Sequence, residues 1–139
     1  MDDRVLDGAH LRAGDKVADV GAGTGLLTQR AAELVGPEGD VVAIDSSVDA
    51  LEELRASTAA PNVSYLIGWA DVLPLMDESV DVVVTHETEA ARELFRVLRS
   101  GGRISMYGDP GDLGQVFGSV GFTDVRTSSA ARWLTAVKP

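Results

Sequence analysis

At positions 16–25 the chain reads Lys16-Val17-Ala18-Asp19-Val20-Gly21-Ala22-Gly23-Thr24-Gly25, and this stretch decides its fold. A short apolar strand runs into three glycines at alternate positions, and apolar residues then recur at helical spacing up to Val35. The pattern predicts the first strand–turn–helix unit of a nucleotide-binding α/β sheet. Glycines let the backbone approach a ligand, and the helix that follows offers unpaired N–H groups. The alternative interpretation is a glycine turn that serves packing alone.

The spacing of the glycines argues against a dinucleotide as the ligand. A dinucleotide-binding turn has the pattern G-x-G-x-x-G, whose third glycine would stand at position 26. Leu26 occupies that position, and the pattern here is G-x-G-x-G. A nicotinamide-dependent oxidoreductase is therefore disfavoured.

The composition is that of a globular chain without thiol chemistry. With 139 residues, 45% of them hydrophobic, residues 1–139 are expected to form a single domain. The absence of cysteine excludes disulfides and thiolate ligands, and no metal site is predicted. A net charge of −10 disfavours nucleic acid as a partner, because phosphate binding needs a basic surface. No apolar run reaches the roughly 18 residues of a membrane helix, and the acidic start is unlike a secretory signal, so we expect a cytoplasmic protein with no membrane contact.

Strand and helix patterns alternate along the whole chain. Strands are predicted near residues 16–21, 40–45, 63–67, 80–85, 103–107, 122–128 and 132–137. Helices are predicted near residues 3–11 and 24–35, after Ser46 or Ser47 with Val48, Leu51 and Leu54 buried, from about Ala91 to a stop at Gly101-Gly102, and after an Asp109 cap. The last two strands are joined too tightly for a crossover helix, so they are antiparallel. The predicted fold class is α/β: a doubly wound, Rossmann-like sheet of seven strands, mostly parallel, with a reversed C-terminal edge strand.

Four arginines recur at spacings of four, three and four residues, at Arg92, Arg96, Arg99 and Arg103. Such a row is either a contact surface for an anionic partner or a solvated face held by ion pairs. Glu93 stands three residues before Arg96, which favours the ion-paired interpretation.

Candidate ligand-binding residues follow the strands at their carboxyl ends, where open α/β sheets bind ligands. Asp45 ends the second strand, and a carboxylate there can accept hydrogen bonds from both hydroxyls of a ribose. The alternative role for Asp45 is to favour the N-terminus of the next helix. Trp69-Ala70-Asp71 follows the third strand, where an adenine ring would lie. Thr85-His86-Glu87 leaves the fourth strand beside the same pocket, with His86 either functional or a solvent-facing loop residue.

These motifs, in this order, resemble the class I S-adenosylmethionine-dependent methyltransferases, in the branch that acts mostly on small molecules. The resemblance runs from about Gly14 to Pro139. It rests on the glycine turn at 17–25, on Val42-Ala43-Ile44-Asp45, Leu73-Pro74 and Val80-Asp81-Val82-Val83, and on residues 93–103, 120–125 and 133–139.

The resemblance implies S-adenosylmethionine as the cofactor and methyl transfer to a small-molecule acceptor as the reaction. In such enzymes the glycine turn holds the methionine part, the acid before it reaches the amino group, and the acid after the second strand binds the ribose. The implied cofactor-binding residues are Asp19, Gly21, Ala22, Gly23, Thr24, Asp45, Ser46, Trp69, Ala70, Asp71 and Thr85. For a hydroxyl acceptor, His86 is the candidate catalytic base, with Glu87 behind it.

The sequence departs from the family pattern at one residue and in three segments. Trp69 stands where the family commonly has an acid that contacts the adenine amino group. An indole cannot accept that hydrogen bond, although it can stack on the ring. About thirteen residues precede the first strand, and the connections after the fourth and fifth strands are short, so the usual lid and acceptor pocket are reduced.

Two functions therefore stay open at the level of the sequence. One is a small-molecule methyltransferase, and the other is a methyltransferase-like binding or subunit domain with weak or no catalytic activity. The shortened core also predicts that a second copy of the chain, or a partner subunit, completes the pocket.

Overall fold

Seven strands and five helices alternate through the computed structural model, which describes residues 4–23, 25–86 and 90–139. In chain order they are α1 (Arg4–Ala9), β1 (Lys16–Val20), α2 (Leu26–Val35), β2 (Asp40–Asp45), α3 (Val48–Ser57), β3 (Val63–Ile67), β4 (Val80–His86), α4 (Ala91–Val97), β5 (Leu98–Tyr107), α5 (Leu113–Val120), β6 (Thr123–Ser128) and β7 (Trp133–Val137). All seven predicted strands are present. The fifth begins earlier than predicted, because Leu98 already pairs with Val80 of β4, so α4 ends at Val97 and not at Gly101-Gly102. Within the described ranges, no helix combines the length and the apolar character that crossing a bilayer requires.

The strands form one sheet in the order β3-β2-β1-β4-β5-β7-β6. Strands β1 to β5 run parallel, whereas β7 runs antiparallel to both β5 and β6. This confirms the predicted class, a mostly parallel Rossmann-like sheet with a reversed strand near its C-terminal edge. The reversed strand is β7, and β6 lies outside it at the extreme edge of the sheet.

The side chains of the sheet alternate between two layers of helices. Val82 and Val84 pack on the face covered by α1 and α2, whereas Val83 packs on the face covered by α4 and α5. All three valines have no exposed surface. A continuous valine run is therefore buried on both faces, as expected for a central parallel strand. With both faces covered, the carboxyl ends of the strands are the edge at which a ligand can bind.

The start of α3 confirms one sequence prediction and corrects another. Ser47 precedes the helix and its hydroxyl accepts a hydrogen bond from the Ala50 N–H at 3.2 Å, as a capping serine does. Val48 was expected to be buried, but it is 51% exposed. The buried stripe of α3 is formed by Leu51 and Leu54, and the first residue of the helix points away from it.

Helix α5 begins later than predicted. The Asp109-Pro110 pair suggests a cap and a first helical residue, but the helix starts at Leu113. Gly111 adopts a φ of +48°, outside the helical region, and its N–H donates to Asp109 Oδ1 at 3.1 Å. Asp109 therefore stabilises a turn before the helix instead of capping it.

Three of the four arginines in the row, Arg96, Arg99 and Arg103, follow the ion-paired interpretation. Arg96 pairs with Glu93 and Asp77, Arg99 with Asp81, and Arg103 with Asp15. Arg103 differs from the others because its side chain is only 11% exposed. Its role is structural, since it joins the end of α1 to β5.

Candidate functional site

A cleft of about 230 Å³ opens where β1, β2, β3 and β4 end. Its walls come from the last residues of these strands and from the turns that follow: Val20, Gly21, Ile44, Asp45, Ser46, Gly68, Trp69, Ala70, Thr85 and His86. Predicted site residues from four separate segments of the chain therefore meet in one place. This convergence follows from the parallel sheet, which brings the carboxyl ends of its strands to the same edge.

The glycine turn has a backbone that other residues seldom adopt. Gly21, Gly23 and Gly25 have φ values of 74°, 56° and 82°. A Cβ on Gly21 would lie 2.4 Å from Nε2 of His86, whereas a Cβ on Gly23 would meet nothing closer than a backbone oxygen at 3.8 Å. The turn is thus closely packed against His86 at its start and open at Gly23.

Asp45 lies half-buried at the end of β2 and joins two turns. Its Oδ2 accepts a hydrogen bond from the Gly23 N–H at 3.1 Å, and its Oδ1 accepts one from the Ser47 N–H at 2.9 Å. An ionised carboxylate has about four acceptor positions. Asp45 therefore orders the glycine turn and the start of α3 while keeping acceptor capacity toward the cleft.

Asp19 lies beneath the same turn in a different environment. It is only 2% exposed, and its Oδ2 accepts a hydrogen bond from the Thr28 hydroxyl at 2.6 Å. Burial raises the pKa of Asp19 from 3.8 to about 6, against the lowering effect of the Thr28 hydrogen bond. The charge of Asp45 adds a smaller upward shift of that pKa. Asp19 therefore keeps its proton to a higher pH than an ordinary carboxyl does, although it is mostly ionised at neutral pH.

His86 and Thr85 form the wall of the cleft at the end of β4. The Thr85 hydroxyl donates to the Val20 carbonyl at 3.0 Å and so ties the end of β4 to the end of β1. The ring of His86 lies against Tyr107, with the two centroids 5.9 Å apart. Burial, and after it the charge of Asp19, raise the pKa of Tyr107. Tyr107 thus supports the imidazole from the neighbouring strand as a neutral phenol.

Trp69 and Ala70 form the opposite wall, after β3. The Trp69 side chain is 59% exposed, although its backbone pairs with Val72 in a short bridge. Asp71 is exposed in the same turn and is not part of the lining. An exposed indole beside a cleft offers a flat apolar surface to a ligand ring.

Some predicted residues do not reach the cleft. Asp19 and Ala22 are buried beneath the turn, where Ala22 packs with residues of α3. Gly23 contacts Asp45 through its amide rather than lining the cleft. Thr24 and Glu87 lie outside the described residues. The assigned roles of all these residues stay predictions.

Two residues that support the site were not identified from the sequence. Thr28 is a fully buried polar residue on the inner face of α2, and it holds Asp19. The break that it makes in an apolar helix face was the available signal. Tyr107 ends β5, directly beside His86 in the register of the sheet. Only the pairing of β5 with β4 could have identified it.

Comparison with known proteins gives two kinds of match at the level of sequence. A family model described as a methyltransferase domain matches residues 17–102. The ubiquinone/menaquinone biosynthesis C-methyltransferase UbiE of Pseudomonas paraeruginosa is 38% identical over 106 residues, which cover 68% of this chain and 41% of that protein. The chain spans about half the length of the curated relatives that it matches, between 41% and 50%.

Solved structures share the fold. An S-adenosylmethionine-dependent methyltransferase from Aquifex aeolicus superimposes with a TM-score of 0.79 at 20% identity, over 96% of this chain and 86% of that one. The Haloferax volcanii complex between the Trm112 methyltransferase activator and a methyltransferase gives a TM-score of 0.80 at 18% identity, over 98% of this chain and 88% of the matched chain. The family match extends from β1 into β5 and covers more than half of the chain. With the glycine turn and the strand-end cleft inside that range, the chain belongs to the methyltransferase domain family.

Proposed function

We propose that the chain binds S-adenosylmethionine in the strand-end cleft and transfers its methyl group to a small-molecule acceptor. The observation that carries the proposal is the position of Asp45. Its carboxylate stands at the rim of the cleft, is ordered by two backbone N–H groups, and retains acceptor positions for a ribose diol. Membership of the methyltransferase domain family supports this assignment.

The residues of the cleft fit the chemistry of this cofactor. Asp45 suits the ribose hydroxyls, and Trp69 with Ala70 offers an apolar surface for the adenine ring. The backbone of the turn at Gly23 is open, so an amino acid tail can approach it. In its ionised form, Asp19 would attract the ammonium group of that tail, directly or through water.

When bound, S-adenosylmethionine supplies a methyl group on a positively charged sulfur that is a good leaving group. The chain then has to align the acceptor and exclude water, which is where most of the rate gain in such a displacement arises. For a hydroxyl acceptor, we propose that the His86 imidazole takes the proton, because it lies in the wall of the cleft and is held by Tyr107. Glu87 stays a second candidate for this role.

The class of acceptor rests on the relatives. UbiE of Pseudomonas paraeruginosa is named as a C-methyltransferase of ubiquinone and menaquinone biosynthesis, which points to a small organic acceptor rather than a macromolecule. The net charge of −10 also favours this choice over nucleic acid. We also propose a cytoplasmic location for this activity.

Calorimetric titration with S-adenosylmethionine and with S-adenosylhomocysteine tests the proposal. We expect saturable binding of both, at one site per chain, and methyl transfer to a member of a panel of phenols and quinols. Absence of binding would contradict the proposal. Binding without transfer to any acceptor would favour the alternative, a binding or subunit domain of the same fold.

We also propose that a second chain completes the cleft. Three large apolar side chains in the connection from β3 to β4 are strongly exposed: Trp69 at 59%, Val72 at 69% and Met76 at 80%. The first of them, Trp69, lines the cleft, and apolar groups concentrated in one segment mark contact surfaces more often than single exposed residues do. The Haloferax volcanii neighbour was solved with an activator subunit. Self-association is the simplest form of this proposal, because most soluble oligomers are homomeric.

Light scattering at micromolar concentration, with and without cofactor, measures this association. We expect a dimer that Met76→Asp dissociates, whereas Val48→Asp, which introduces the same charge at an exposed apolar residue of α3, leaves it intact. A strictly monomeric protein that methylates a small acceptor would rule the second chain out.

A further inference from the structure

A second cavity, of about 300 Å³, lies on the α1 side of the sheet. Its lining is Gly8, His10, Ser105, Arg126, Trp133 and Thr135, and none of these residues lines the strand-end cleft. Ser105 alternates along β5 with Ile104 and Met106, which face α4 and α5, so its side chain faces α1. The cavity is therefore formed by α1, β5, β7 and β6 and is separate from the cofactor-binding edge.

The floor of this cavity holds a buried hydroxyl without a partner. Ser105 is 1% exposed, and its Oγ has no hydrogen-bond partner among the described residues. A buried polar group in this state is unfavourable unless something else satisfies it. Gly8 allows α1 to approach this hydroxyl closely, because a Cβ on Gly8 would lie 2.9 Å from Ser105 Oγ and 3.1 Å from Thr135 Cγ2.

The end of α1, which forms one wall of the cavity, is held by hydrogen bonds from Arg103 of β5. The Arg103 guanidinium donates from Nε to the Ala9 carbonyl at 2.6 Å, and from Nη2 to the His10 carbonyl at 2.6 Å and to Asp15 Oδ2 at 2.8 Å. The Arg103 and Asp15 side chains are each only 11% exposed. The end of α1 is thus fastened to β5 by a charged network, and the cavity is preformed rather than a gap between loosely packed elements.

The chemistry of the lining selects an anion that carries a ring. Trp133 supplies a flat apolar surface, Thr135 and Ser105 supply hydroxyls, and Arg126 supplies a planar cation. The Arg126 Nε–H donates to Asp124 Oδ1 at 3.0 Å, but this pair is solvent-exposed, with 70% and 58% of the two side chains accessible. Exposed pairs of this kind are weak, so a ligand carboxylate can share or replace Asp124.

We propose that this cavity is a binding site for a small aromatic carboxylate, with the ring against Trp133 and the carboxylate reached by Arg126 and the Ser105 hydroxyl. The size agrees, since about 300 Å³ lies at the lower end of the range for small-molecule pockets. The site is additional to the proposed cofactor site and does not depend on methyl transfer.

Benzoate is the probe, read through the fluorescence of Trp133. The chain has two tryptophans, so Trp69→Phe leaves Trp133 as the sole reporter. We expect a saturable fluorescence change with benzoate. Neutral benzamide should bind at least about fivefold more weakly, because hydrogen bonds to charged groups are about twice as strong as neutral ones. Saturating S-adenosylhomocysteine should leave the benzoate dissociation constant unchanged.

Substitutions at the cavity distinguish a binding site from an empty space that has no ligand. Ser105→Ala should weaken benzoate binding about threefold and leave the thermal midpoint unchanged or higher, since it removes an unmatched hydroxyl. Gly8→Ala should weaken binding about tenfold or more by filling the space above Ser105. Its matched control is Gly118→Ala in α5, where an added Cβ meets nothing within 4 Å.

The charge of the ligand is tested at Arg126. Arg126→Gln should abolish the preference for benzoate over benzamide, whereas Arg92→Gln, on α4 at the opposite face, should preserve it. The proposal is overturned if benzoate gives no saturable change, if benzamide binds as well as benzoate to the parent protein, or if S-adenosylhomocysteine displaces benzoate. Should Gly8→Ala prevent folding, Ser105→Ala and Arg126→Gln still decide the matter.

Discussion

Asp19 and Asp45 belong to neighbouring parallel strands and point to the same face of the sheet, yet they occupy different environments. In the register of β1 and β2, Asp19 lies opposite Ala43, so Asp45 stands two residues nearer the open edge. Asp19 is covered by α2 and held by Thr28, whereas Asp45 is half-buried and bonded to two turn amides. A step of two residues along the strands therefore separates a buried acid with a raised pKa from an acid available to a ligand.

The largest effect is expected from displacing the helix that buries Asp19. Gly25 precedes α2 with a φ of 82°, and a Cβ there would lie 1.8 Å from Leu54 Cδ1. Gly25→Ala combines left-handed strain with a clash, and we expect a loss of about 3 kcal/mol or more in the free energy of unfolding. Gly36→Ala is the control, because Gly36 has a similar φ of 70° but nothing within 4 Å of an added Cβ. Equal losses in urea denaturation would contradict the role given to Leu54.

The next effect concerns the charge of Asp19. Its pKa rises from 3.8 unfolded to about 6 folded, so the folded chain retains a proton that the unfolded chain releases between these values. The contribution of this group to stability is complete below pH 3.8 and is lost as the pH rises to about 6. Asp19→Asn should remove that loss and be more stable than the parent above pH 6, by up to about 3 kcal/mol.

Denaturation curves at several pH values provide the measurement. Thr28→Val extends the test, because the Thr28 hydrogen bond lowers the Asp19 pKa and the variant lacks it. The variant should therefore lose more stability with rising pH than the parent does. If the parent and Asp19→Asn lose stability in parallel from pH 4 to pH 7, burial of the charge is not what distinguishes Asp19 from Asp45.

Asp45 should act mainly on binding. We expect Asp45→Ala to weaken S-adenosylhomocysteine binding by about 1–3 kcal/mol through loss of charge-assisted hydrogen bonds. Asp45→Asn keeps one acceptor oxygen and should lose less. Calorimetry gives both values, and an Asp45→Ala protein that binds as tightly as the parent would exclude the ribose assignment.

The smallest effect is expected at Trp69, which lines the same cleft as Asp45. If its ring stacks on adenine, Trp69→Ala should weaken binding by about 1 kcal/mol and Trp69→Phe by less. Cofactor should also change the Trp69 fluorescence in a Trp133→Phe background. An unchanged spectrum at saturating cofactor would assign Trp69 to the contact surface with Val72 and Met76 alone.

The cleft could be predicted to the extent that it depends on strand order and strand ends. Gly21, Asp45, Ala70 and His86 each follow a recognisable apolar strand, and a parallel sheet brings such ends together. The support behind them could not be predicted in the same way. Tyr107 reaches His86 only because β5 pairs with β4, and that pairing joins residues distant in sequence.

The local sequence pattern also could not predict which individual side chains are buried. Val48 has the spacing of a core residue, but the beginning of a helix turned it to solvent. Ser105 and Gly8 carry no motif at all, and their significance arises from the contact between α1 and β5. Likewise, nothing near Arg103 in the sequence indicates that it fastens the distant end of α1.

The sequence by itself determined the fold class, the order of the elements, and the edge of the sheet where acids and aromatic residues gather. Glycine spacing, apolar periodicity and the residues at strand ends are local properties, so they follow from the order of the amino acids alone. The tertiary structure alone decided which acid is buried with a raised pKa and which one reaches the cleft, which histidine is supported, and where a second cavity remains. Those properties depend on desolvation and on contacts between segments far apart in the chain, because a pKa or an unmatched hydroxyl is set by everything packed around it.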